Sequence, residues 1–291
     1  MSRAVTMGNG SLLIGLDHRG QLRDLYYPHV GEANHVSGAS GNFVHRIGVF
    51  VDNTISWLDS TDWEIEIVTN HQTAIGSFTA VNRKFGITLV SRDVVHNEAN
   101  VFLRNFTIVN DGESEREIKL FLAQQFRIAE SRRGDTAFYD PRVKAIIHYK
   151  GNTTFLINAF CNGIQFSEYN IGLFGIEGKE GTYMDAMDGV LEKNPIEHGS
   201  VDSIIGLAVT LNKGQSADVY YWIVCGNTIP AVHALDEYVI EETAARLIDS
   251  TENYWTAWLV KEDRDLSILP AKLKKLFNRS LIIMRVHTDN D

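Results

Sequence analysis

The stretch Val101-Phe-Leu-Arg-Asn-Phe-Thr-Ile-Val-Asn-Asp-Gly112 passes from β-branched and aromatic residues directly into a cluster of turn-forming residues. Beyond the turn, Ile118, Leu120 and Leu122 recur at every second position. A period of two is typical of a β-strand with one buried face, and Asn, Asp and Gly favour tight connections between strands. The stretch therefore predicts two antiparallel strands joined by a turn at Asn110.

The same alternation of apolar strand and polar turn recurs along most of the chain. Apolar runs are separated by the turn sequences Asn9-Gly10, Asp52-Asn53, Lys150-Gly151-Asn152 and Asn212-Lys213-Gly214. Further apolar runs lie at residues 65–68, 75–81 and 87–95. Together they indicate about a dozen strands with no helices between them. The sequence thus predicts a mainly β fold, an antiparallel sandwich of two large sheets.

Helical periodicity begins only after residue 230. Residues 231–250 predict one helix, whose apolar side consists of Val232, Leu235, Val239, Ala244 and Leu247. The aromatic run Tyr254-Trp-Thr-Ala-Trp-Leu259 then leads to a last helix, for which Ser267 is the candidate N-cap. The predicted buried face of this last helix consists of Leu269, Leu273, Leu276, Phe277, Leu281 and Met284. We therefore divide the chain into a sandwich (5–230), a helix with an aromatic linker (231–265) and a terminal helix (266–291).

The terminal helix has few residues of its own to pack against, because only a short polar segment follows it. We expect that it links the sandwich to a second domain in a longer protein. The alternative is that it simply caps the sandwich. An apolar helix face left uncovered would also favour self-association.

Composition and charge exclude several classes of function. The 291 residues contain 27 Lys and Arg against 37 Asp and Glu, a net charge of −10. Such a balance disfavours nucleic acid and anionic membranes as partners, since both require clustered basic residues. No apolar run reaches membrane-spanning length and the N-terminus has no apolar signal core, so a cytoplasmic location is predicted. Cys161 and Cys225 lie in apolar runs and are interpreted as lone buried thiols.

An acidic loop is the first candidate site. Glycines recur at every third position from Gly172 to Gly181, and four carboxylates, Glu177, Glu180, Asp185 and Asp188, lie within or just after this stretch. Such acids could form a glycosidase acid/base pair or a calcium loop, although their spacing does not fit an EF-hand. The absence of a following Lys-Ser or Lys-Thr argues against a phosphate loop. We interpret the segment as a solvated loop whose glycines need positive φ, and leave the role of its acids unassigned.

The segment Tyr26-Tyr27-Pro28-His29 is the second candidate. A residue before proline is extended, so the two tyrosines face opposite ways. One can enter the core while the other lies with His29 at the surface, where aromatic side chains suit sugar stacking or domain docking. His29 and His35 lack a third ligand at a familiar spacing. We predict neither a metal site nor a cofactor.

Several motifs, in this order, resemble the N-terminal domain of prokaryotic glucoamylase-type enzymes, glycoside hydrolase family fifteen. They are Gly8-Asn-Gly-Ser-Leu-Leu-Ile-Gly-Leu-Asp17, Leu25-Tyr-Tyr-Pro-His29, Gly172-Leu-Phe-Gly175, Asp185 with Asp188-Gly189, His198-Gly-Ser-Val-Asp-Ser203, Tyr254-Trp-Thr-Ala-Trp-Leu259 and Phe277-Asn-Arg-Ser-Leu-Ile-Ile-Met-Arg285. The resemblance implies a large antiparallel β supersandwich followed by a helical linker and then an (α/α)6 barrel. Glucoamylase, glucodextranase and trehalase activities all occur among such enzymes.

In that family the catalytic glutamate pair lies in the barrel, where one acid protonates the glycosidic oxygen and the other activates water, giving inversion. No residue of this chain matches either glutamate. The resemblance therefore implies a non-catalytic domain whose partners are its own C-terminal barrel and the oligosaccharide substrate of the parent enzyme. It implies that the chain alone is inactive. Two alternatives stay open: a stand-alone carbohydrate-binding or structural β module, and the N-terminal domain of a glycoside phosphorylase.

Overall fold

The computed structural model describes residues 3–36, 45–69, 73–131, 133–261 and 269–290. These residues form eighteen strands: β1 (Val5–Gly8), β2 (Leu13–Leu16), β3 (Leu22–Tyr26), β4 (His45–Val51), β5 (Thr54–Trp57), β6 (Glu64–Thr69), β7 (Gly76–Asn82), β8 (Ile87–Val95), β9 (Val101–Asn110), β10 (Arg116–Gln125), β11 (Asp135–Asp140), β12 (Ala145–Lys150), β13 (Thr153–Cys161), β14 (Ile164–Gln165), β15 (Glu168–Leu173), β16 (Ile196–Gly199), β17 (Val201–Leu211) and β18 (Ser216–Gly226). Three helices follow: α1 (Ile229–Glu242), α2 (Ala244–Val260) and α3 (Ala271–Val286). Two 3-10 helices lie at Ile128–Glu130 and Thr182–Asp188.

The strands form three antiparallel sheets. The ten-stranded sheet has the order β16-β11-β12-β13-β18-β9-β8-β7-β6, with β14 beside β13. The five-stranded sheet has the order β15-β17-β10-β4-β5, and β1, β2 and β3 form a smaller sheet. The predicted mainly β, antiparallel supersandwich is confirmed. The proposed division at residues 230 and 265 stays a prediction.

The main core lies between the two large sheets. On β10, Ile118, Leu120 and Leu122 face inward, as their period of two predicted. Phe106 of β9 and Phe155 of β13 meet them from the ten-stranded sheet. The two cysteines are buried free thiols, as the sequence predicted, and burial raises the pKa of the Cys225 thiol.

Three of the predicted turns are hairpins. The turn between β4 and β5 uses only Asp52 and Asn53, with φ of 51° and 58°. Two successive positive φ values define a type I′ turn, which matches the right-handed twist of the flanking strands. The Asn9 and Gly151 turns likewise join the paired strands β1 with β2 and β12 with β13.

The other two predicted turns, including the one at Asn110, do not form hairpins. β9 belongs to the ten-stranded sheet and β10 to the five-stranded sheet, so the chain changes sheets at Asn110; another of its crossings, in the reverse direction, lies between β17 and β18. The side-chain amide of Asn110 donates to the Leu211 carbonyl at 2.8 Å, and the backbone carbonyl of Asn110 accepts from Gly214 N at 2.7 Å. The two crossings therefore lie side by side. The alternating pattern of apolar residues did not predict this change of sheet, because a hairpin and a corner between sheets have the same local pattern.

The predicted single helix over 231–250 is wrong. Thr243 has φ 63° and ψ 135°, which ends α1, and its hydroxyl then accepts from Arg246 N at the start of α2. The predicted apolar side is nevertheless the one that packs on the ten-stranded sheet, with Val232, Val239 and Leu247 buried there. The aromatic run at residues 254–259 is helical and forms part of α2.

The predicted buried face of the terminal helix is also wrong. The buried residues of α3 are Ile282 and Val286, which pack with Trp255 of α2. Three members of the predicted face are exposed instead: Leu273, Leu276 and Met284. α3 carries apolar residues on two sides, and only its C-terminal half reaches the sandwich. The candidate N-cap Ser267 lies outside the described residues.

Candidate functional site

The acidic loop lies across the outer face of the five-stranded sheet. Phe50, Phe121 and Ile204 project from β4, β10 and β17 on the side away from the main core, and Ala186 and Leu191 pack over them. This small apolar cluster fixes the 3-10 helix Thr182–Asp188 to the sheet. The loop therefore forms one wall of a cavity that lies on this face of the sheet.

Three of the four glycines adopt positive φ, as predicted: Gly175 (64°), Gly178 (74°) and Gly181 (129°), whereas Gly172 lies within β15. Gly181 is the most constrained of the three. A Cβ atom at this position would lie 2.6 Å from Asp202 Oδ2, closer than side chains tolerate. The glycine therefore lets the loop backbone reach the carboxylate of Asp202, whose Oδ2 accepts from Thr182 N at 2.8 Å.

The four predicted acids have separate roles. Asp185 Oδ2 accepts from the Asn170 amide at 2.8 Å and from Glu192 N at 2.9 Å, and burial raises the pKa of this carboxyl. Glu180 Oε2 accepts from the Tyr183 hydroxyl at 2.9 Å. Asp188 accepts from Val190 N, and Glu177 lies exposed at a turn with φ 54°. Within the described residues no group of three or more His, Cys, Asp or Glu side chains could hold a metal ion.

The residue that sequence reasoning missed is Asp202. It lies on β17 directly opposite Gln125 of β10, and both line a cavity of about 310 Å³ between the sheet and the loop. Asp202 is only 5% exposed, and burial raises the pKa of its carboxyl to about 7. Among the described residues, Asp202 Oδ1 and the Gln125 side-chain amide nitrogen have no hydrogen-bond partner.

The other walls of this cavity combine charge with aromatic surface. The Arg46 guanidinium lies 3.8 Å from the centre of the Tyr183 ring, a stacked cation–π contact. The rings of Tyr183 and Trp57 meet at nearly a right angle, with their centres 5.9 Å apart. Phe174 and Lys179 complete the rim. A second, wider cavity of about 620 Å³ lies on the other side of the loop and includes Asp185 and Glu197.

Two signals for Asp202 were present in the sequence. It belongs to the motif His198–Ser203, and it breaks the apolar pattern at the start of the long run that becomes β17. Its partner Gln125 similarly ends β10. What the sequence did not show is that β10 and β17 are neighbours with these two residues in register.

The segment Tyr26–His29 leaves β3 at the same end of the small sheet as the turn at Asn9, because Tyr26 pairs with Leu13, the first residue after that turn. Tyr27 packs against the main core and its carbonyl accepts from His35 Nε2 at 2.7 Å, whereas Pro28 and His29 are exposed. Just beyond them, Val30 N donates to Asp289 Oδ1 at 2.7 Å. The segment therefore contacts the end of the described chain, directly after α3.

This combination of large antiparallel sheets and C-terminal helices occurs in known proteins. Over 254 residues the sequence is 25% identical to an uncharacterised glycosyl hydrolase of Methanocaldococcus jannaschii, a match covering 85% of this chain and 37% of that protein. No protein-family model matches the sequence.

Among solved structures, a bacterial glucoamylase in complex with acarbose aligns with a TM-score of 0.76 and 12% identity, over 98% of this chain and 40% of its own. A proposed kojibiose phosphorylase from the human microbiome aligns with a TM-score of 0.51 and 10% identity, over 86% and 35%. These structural similarities establish the fold. As a statement about the fold, the resemblance to the N-terminal domain of glucoamylase-type enzymes is confirmed. The chain spans well under half the length of each of these proteins.

In the part of the chain that the structure describes, no helix combines the length and the apolar character needed to cross a membrane.

Proposed function

We propose that this chain is the non-catalytic N-terminal domain of a glycoside hydrolase that releases glucose from α-glucosides by inversion. The alignment with a bacterial glucoamylase over 98% of this chain carries the proposal. The glycosyl hydrolase relative supports it independently through sequence. Starch-like glucans, glucodextran and trehalose are the proposed substrates of the whole enzyme, and the chemistry belongs to a following (α/α)6 barrel.

The proposed role of the domain is to support the folding of the barrel and to border its active site. The exposed apolar side of α3, formed by Leu273, Leu276 and Met284, is the proposed contact with the barrel. Single exposed apolar residues are ordinary, but Leu273, Leu276 and Met284 lie on one side of the same helix, and together they make an apolar side suited to burial. Tyr26, Tyr27, Pro28 and His29 extend this surface, because Val30 is hydrogen-bonded to Asp289 just after α3.

The first test measures glucose release from maltooligosaccharides and from trehalose by the purified 291-residue chain. We expect none above the buffer control, since no acid pair of this chain matches the catalytic glutamates. Glucose release that survives chromatography to homogeneity would refute a non-catalytic domain. Sequencing the gene beyond codon 291 tests the parent: a barrel with two suitably placed glutamates supports hydrolysis, whereas an immediate stop codon supports a stand-alone module.

The second test replaces Tyr27 or His29 by Ala in the longer protein. We expect lower thermal stability for Tyr27→Ala, because the ring packs on the core, and slower turnover for His29→Ala, because the imidazole is exposed at the proposed rim. Wild-type turnover and stability in both variants would remove this segment from the proposed contact.

A glycoside phosphorylase domain is the second candidate, favoured by the alignment with the proposed kojibiose phosphorylase. The two candidates differ in the co-substrate of the longer protein. Glucose 1-phosphate formed from a disaccharide with inorganic phosphate would favour the phosphorylase. Free glucose formed equally with and without phosphate would favour the hydrolase.

A further inference from the structure

We propose that the cavity between the five-stranded sheet and the acidic loop, lined by Arg46, Gln125, Tyr183 and Asp202, binds one ring of a neutral polyhydroxylated ligand such as a sugar. This site belongs to the sandwich itself and is separate from any hydrolytic centre. It stands whether or not the chain is part of a hydrolase.

Two buried polar atoms without partners carry the inference. Asp202 Oδ1 is an acceptor and the Gln125 side-chain nitrogen is a donor, and neither has a hydrogen-bond partner among the described residues. Residues directly opposite on antiparallel strands have Cβ atoms about 5 Å apart, so both groups can reach one ligand atom. Buried polar groups in folded proteins are nearly always satisfied. A partner from outside the chain can satisfy both atoms at once, whereas the nearby Thr182 hydroxyl, also without a partner of standard geometry, can serve only Asp202.

The chemistry of the pair selects the ligand. A hydroxyl group donates one hydrogen bond and accepts others, so a single sugar hydroxyl can donate to Asp202 and accept from Gln125. A metal cation would satisfy Asp202 but leave the Gln125 donor unpaired, and Arg46 and Lys179 line the same cavity. An anion would meet Asp202 and Glu180 there. A neutral ligand with hydroxyl groups suits both halves of the site, and it would displace any water that bridges the same two atoms.

The size and the walls of the cavity narrow the ligand further. A volume of about 310 Å³ is at the lower end of the range for small-molecule pockets, which favours one ring over an extended chain. Phe174 and Tyr183 offer aromatic surface for the apolar face of a ring. Tyr183 is already held in place by Arg46 on its face and by its own hydrogen bond to Glu180.

The site is preformed by rigid elements. β10 and β17 are adjacent central strands of the five-stranded sheet, paired over ten consecutive positions. The loop is fixed to them by the hydrogen bond from Thr182 N to Asp202 Oδ2 and by the close approach of Gly181. Little ordering is then needed on binding, which favours affinity for a small ligand.

The experiment titrates the 291-residue chain with maltose and with glucose at pH 7.5, by isothermal titration calorimetry and saturation-transfer NMR. We expect a dissociation constant in the millimolar range for at least one of them. Asp202→Asn and Gln125→Met each remove one of the two groups while nearly preserving shape. Each is expected to weaken binding about 10- to 100-fold, the usual effect of losing a buried polar partner.

Asp188→Asn is the matched control, because Asp188 is an exposed acid at the end of the same 3-10 helix. It is expected to bind as the unaltered chain does. Circular dichroism and thermal unfolding of every variant establish folding; without ligand, Asp202→Asn and Gln125→Met are expected to be at least as stable as the unaltered chain. If Asp202 and Gln125 had only a structural role, replacing them would lower stability. Lost binding with preserved stability therefore indicates that the two side chains bind the ligand directly.

Three outcomes would overturn the proposal. One is no binding of either sugar up to about 50 mM. Another is binding that is the same in Asp202→Asn, Gln125→Met and Asp188→Asn. The third is binding of CaCl2 or of sodium phosphate, rather than a sugar, that depends on Asp202. Because the readout is direct binding, a failed search for glucose release leaves the result intact.

Discussion

The outer faces of the two large sheets are covered in different ways, and on each face a buried aspartate lies where the cover meets the sheet. On the ten-stranded sheet, α1 lays Asp236 over the cross-strand pair Asn158 and Trp222. Its two carboxylate oxygens accept from the Asn158 amide at 3.1 and 3.2 Å, and Oδ1 also accepts from Trp222 Nε1 at 2.7 Å. On the five-stranded sheet, Asp202 has one carboxylate oxygen with no hydrogen-bond partner among the residues that the structure describes.

Burial raises the pKa of both carboxyl groups, so burial alone does not distinguish them. What differs is the number of partners that the protein supplies. Asp236 is fully satisfied, which fixes α1 to the sheet. Asp202 has capacity to spare next to a cavity, which is typical of a binding residue rather than a structural one.

The largest effect is expected at the satisfied aspartate. Asp236→Ala leaves the Trp222 and Asn158 donors buried without an acceptor, and we expect a loss of about 3 kcal/mol in the free energy of unfolding. The midpoint of urea unfolding measures it. Asp249→Ala is the control: it removes an exposed ion pair with Arg92 and should cost less than about 1 kcal/mol. Equal losses in the two variants would contradict the structural role of Asp236.

The unsatisfied aspartate should behave in the opposite way. With a folded pKa of about 7, raised from 3.8, the folded state holds the Asp202 proton more tightly than the unfolded state does. The contribution of Asp202 to the unfolding free energy of the wild-type protein therefore falls as pH rises from about 4 to about 7, and it stays low at higher pH. At pH 8, Asp202→Asn is expected to gain about 2 kcal/mol, because it no longer buries a charge.

The measurement for this prediction is the difference in unfolding free energy between Asp202→Asn and wild type at pH 5 and at pH 8. Taking this difference cancels the contributions of groups that are the same in both proteins. These groups include Arg46, Lys179 and Glu180, which face the same cavity, and also His45 and His148. Burial lowers the pKa of both histidines to about 3, which makes stability rise with pH up to about 6.5. A difference that does not grow between pH 5 and pH 8 would show that Asp202 is not titrating there.

The approach of the loop to Asp202 is tested by two glycines. Gly181→Ala would add a Cβ atom 2.6 Å from Asp202 Oδ2 at φ 129°, whereas Gly178→Ala adds one with nothing within 4 Å at φ 74°. Both introduce backbone strain of about 1 kcal/mol, but the first also displaces a carboxylate. We expect Gly181→Ala to lose about 1 kcal/mol more than Gly178→Ala in thermal or urea unfolding. Indistinguishable losses would mean that the loop can move away from the sheet.

The smallest change in stability is expected on the uncovered side of α3. Leu276→Lys with Met284→Lys should leave the unfolding free energy within about 0.5 kcal/mol, because both side chains are exposed. The same double variant should reduce self-association of the 291-residue chain, measured by light scattering after size exclusion. Ile164→Lys, an exposed apolar residue on β14, is the control that should not alter association. A wild-type chain that stays monomeric at high concentration would remove the basis of this prediction.

The sequence was informative where structure is set locally. Asp52 and Asn53 predicted a two-residue hairpin because few other residues accept two positive φ values. Val232, Val239 and Leu247 predicted the side of a helix that packs on the sheet, and the break at Thr243 escaped notice because a threonine with φ of 63° violates its own preferences. On α3, apolar residues lie on two sides, and only the position of Trp255 decides which side is buried.

The candidate site depended on information that is not local. The glycines and acids of the loop pointed to the right region, since positive φ is a property of single residues. The candidate binding residue in that region is Asp202. It is recognised by its cross-strand neighbour Gln125 and by the loop that lines the same cavity. Neither neighbour is visible from the residues around Asp202.

The hydrogen bond from Asn110 to Leu211 has a consequence for how the chain folds. One side chain connects positions 101 residues apart in sequence, and it does so where two of the crossings between the sheets lie side by side. Closing so long a loop sacrifices much chain entropy before the contact returns any stability. A protein whose sheets are joined in this way has a high contact order, so its refolding from denaturant should be slow compared with that of helical bundles.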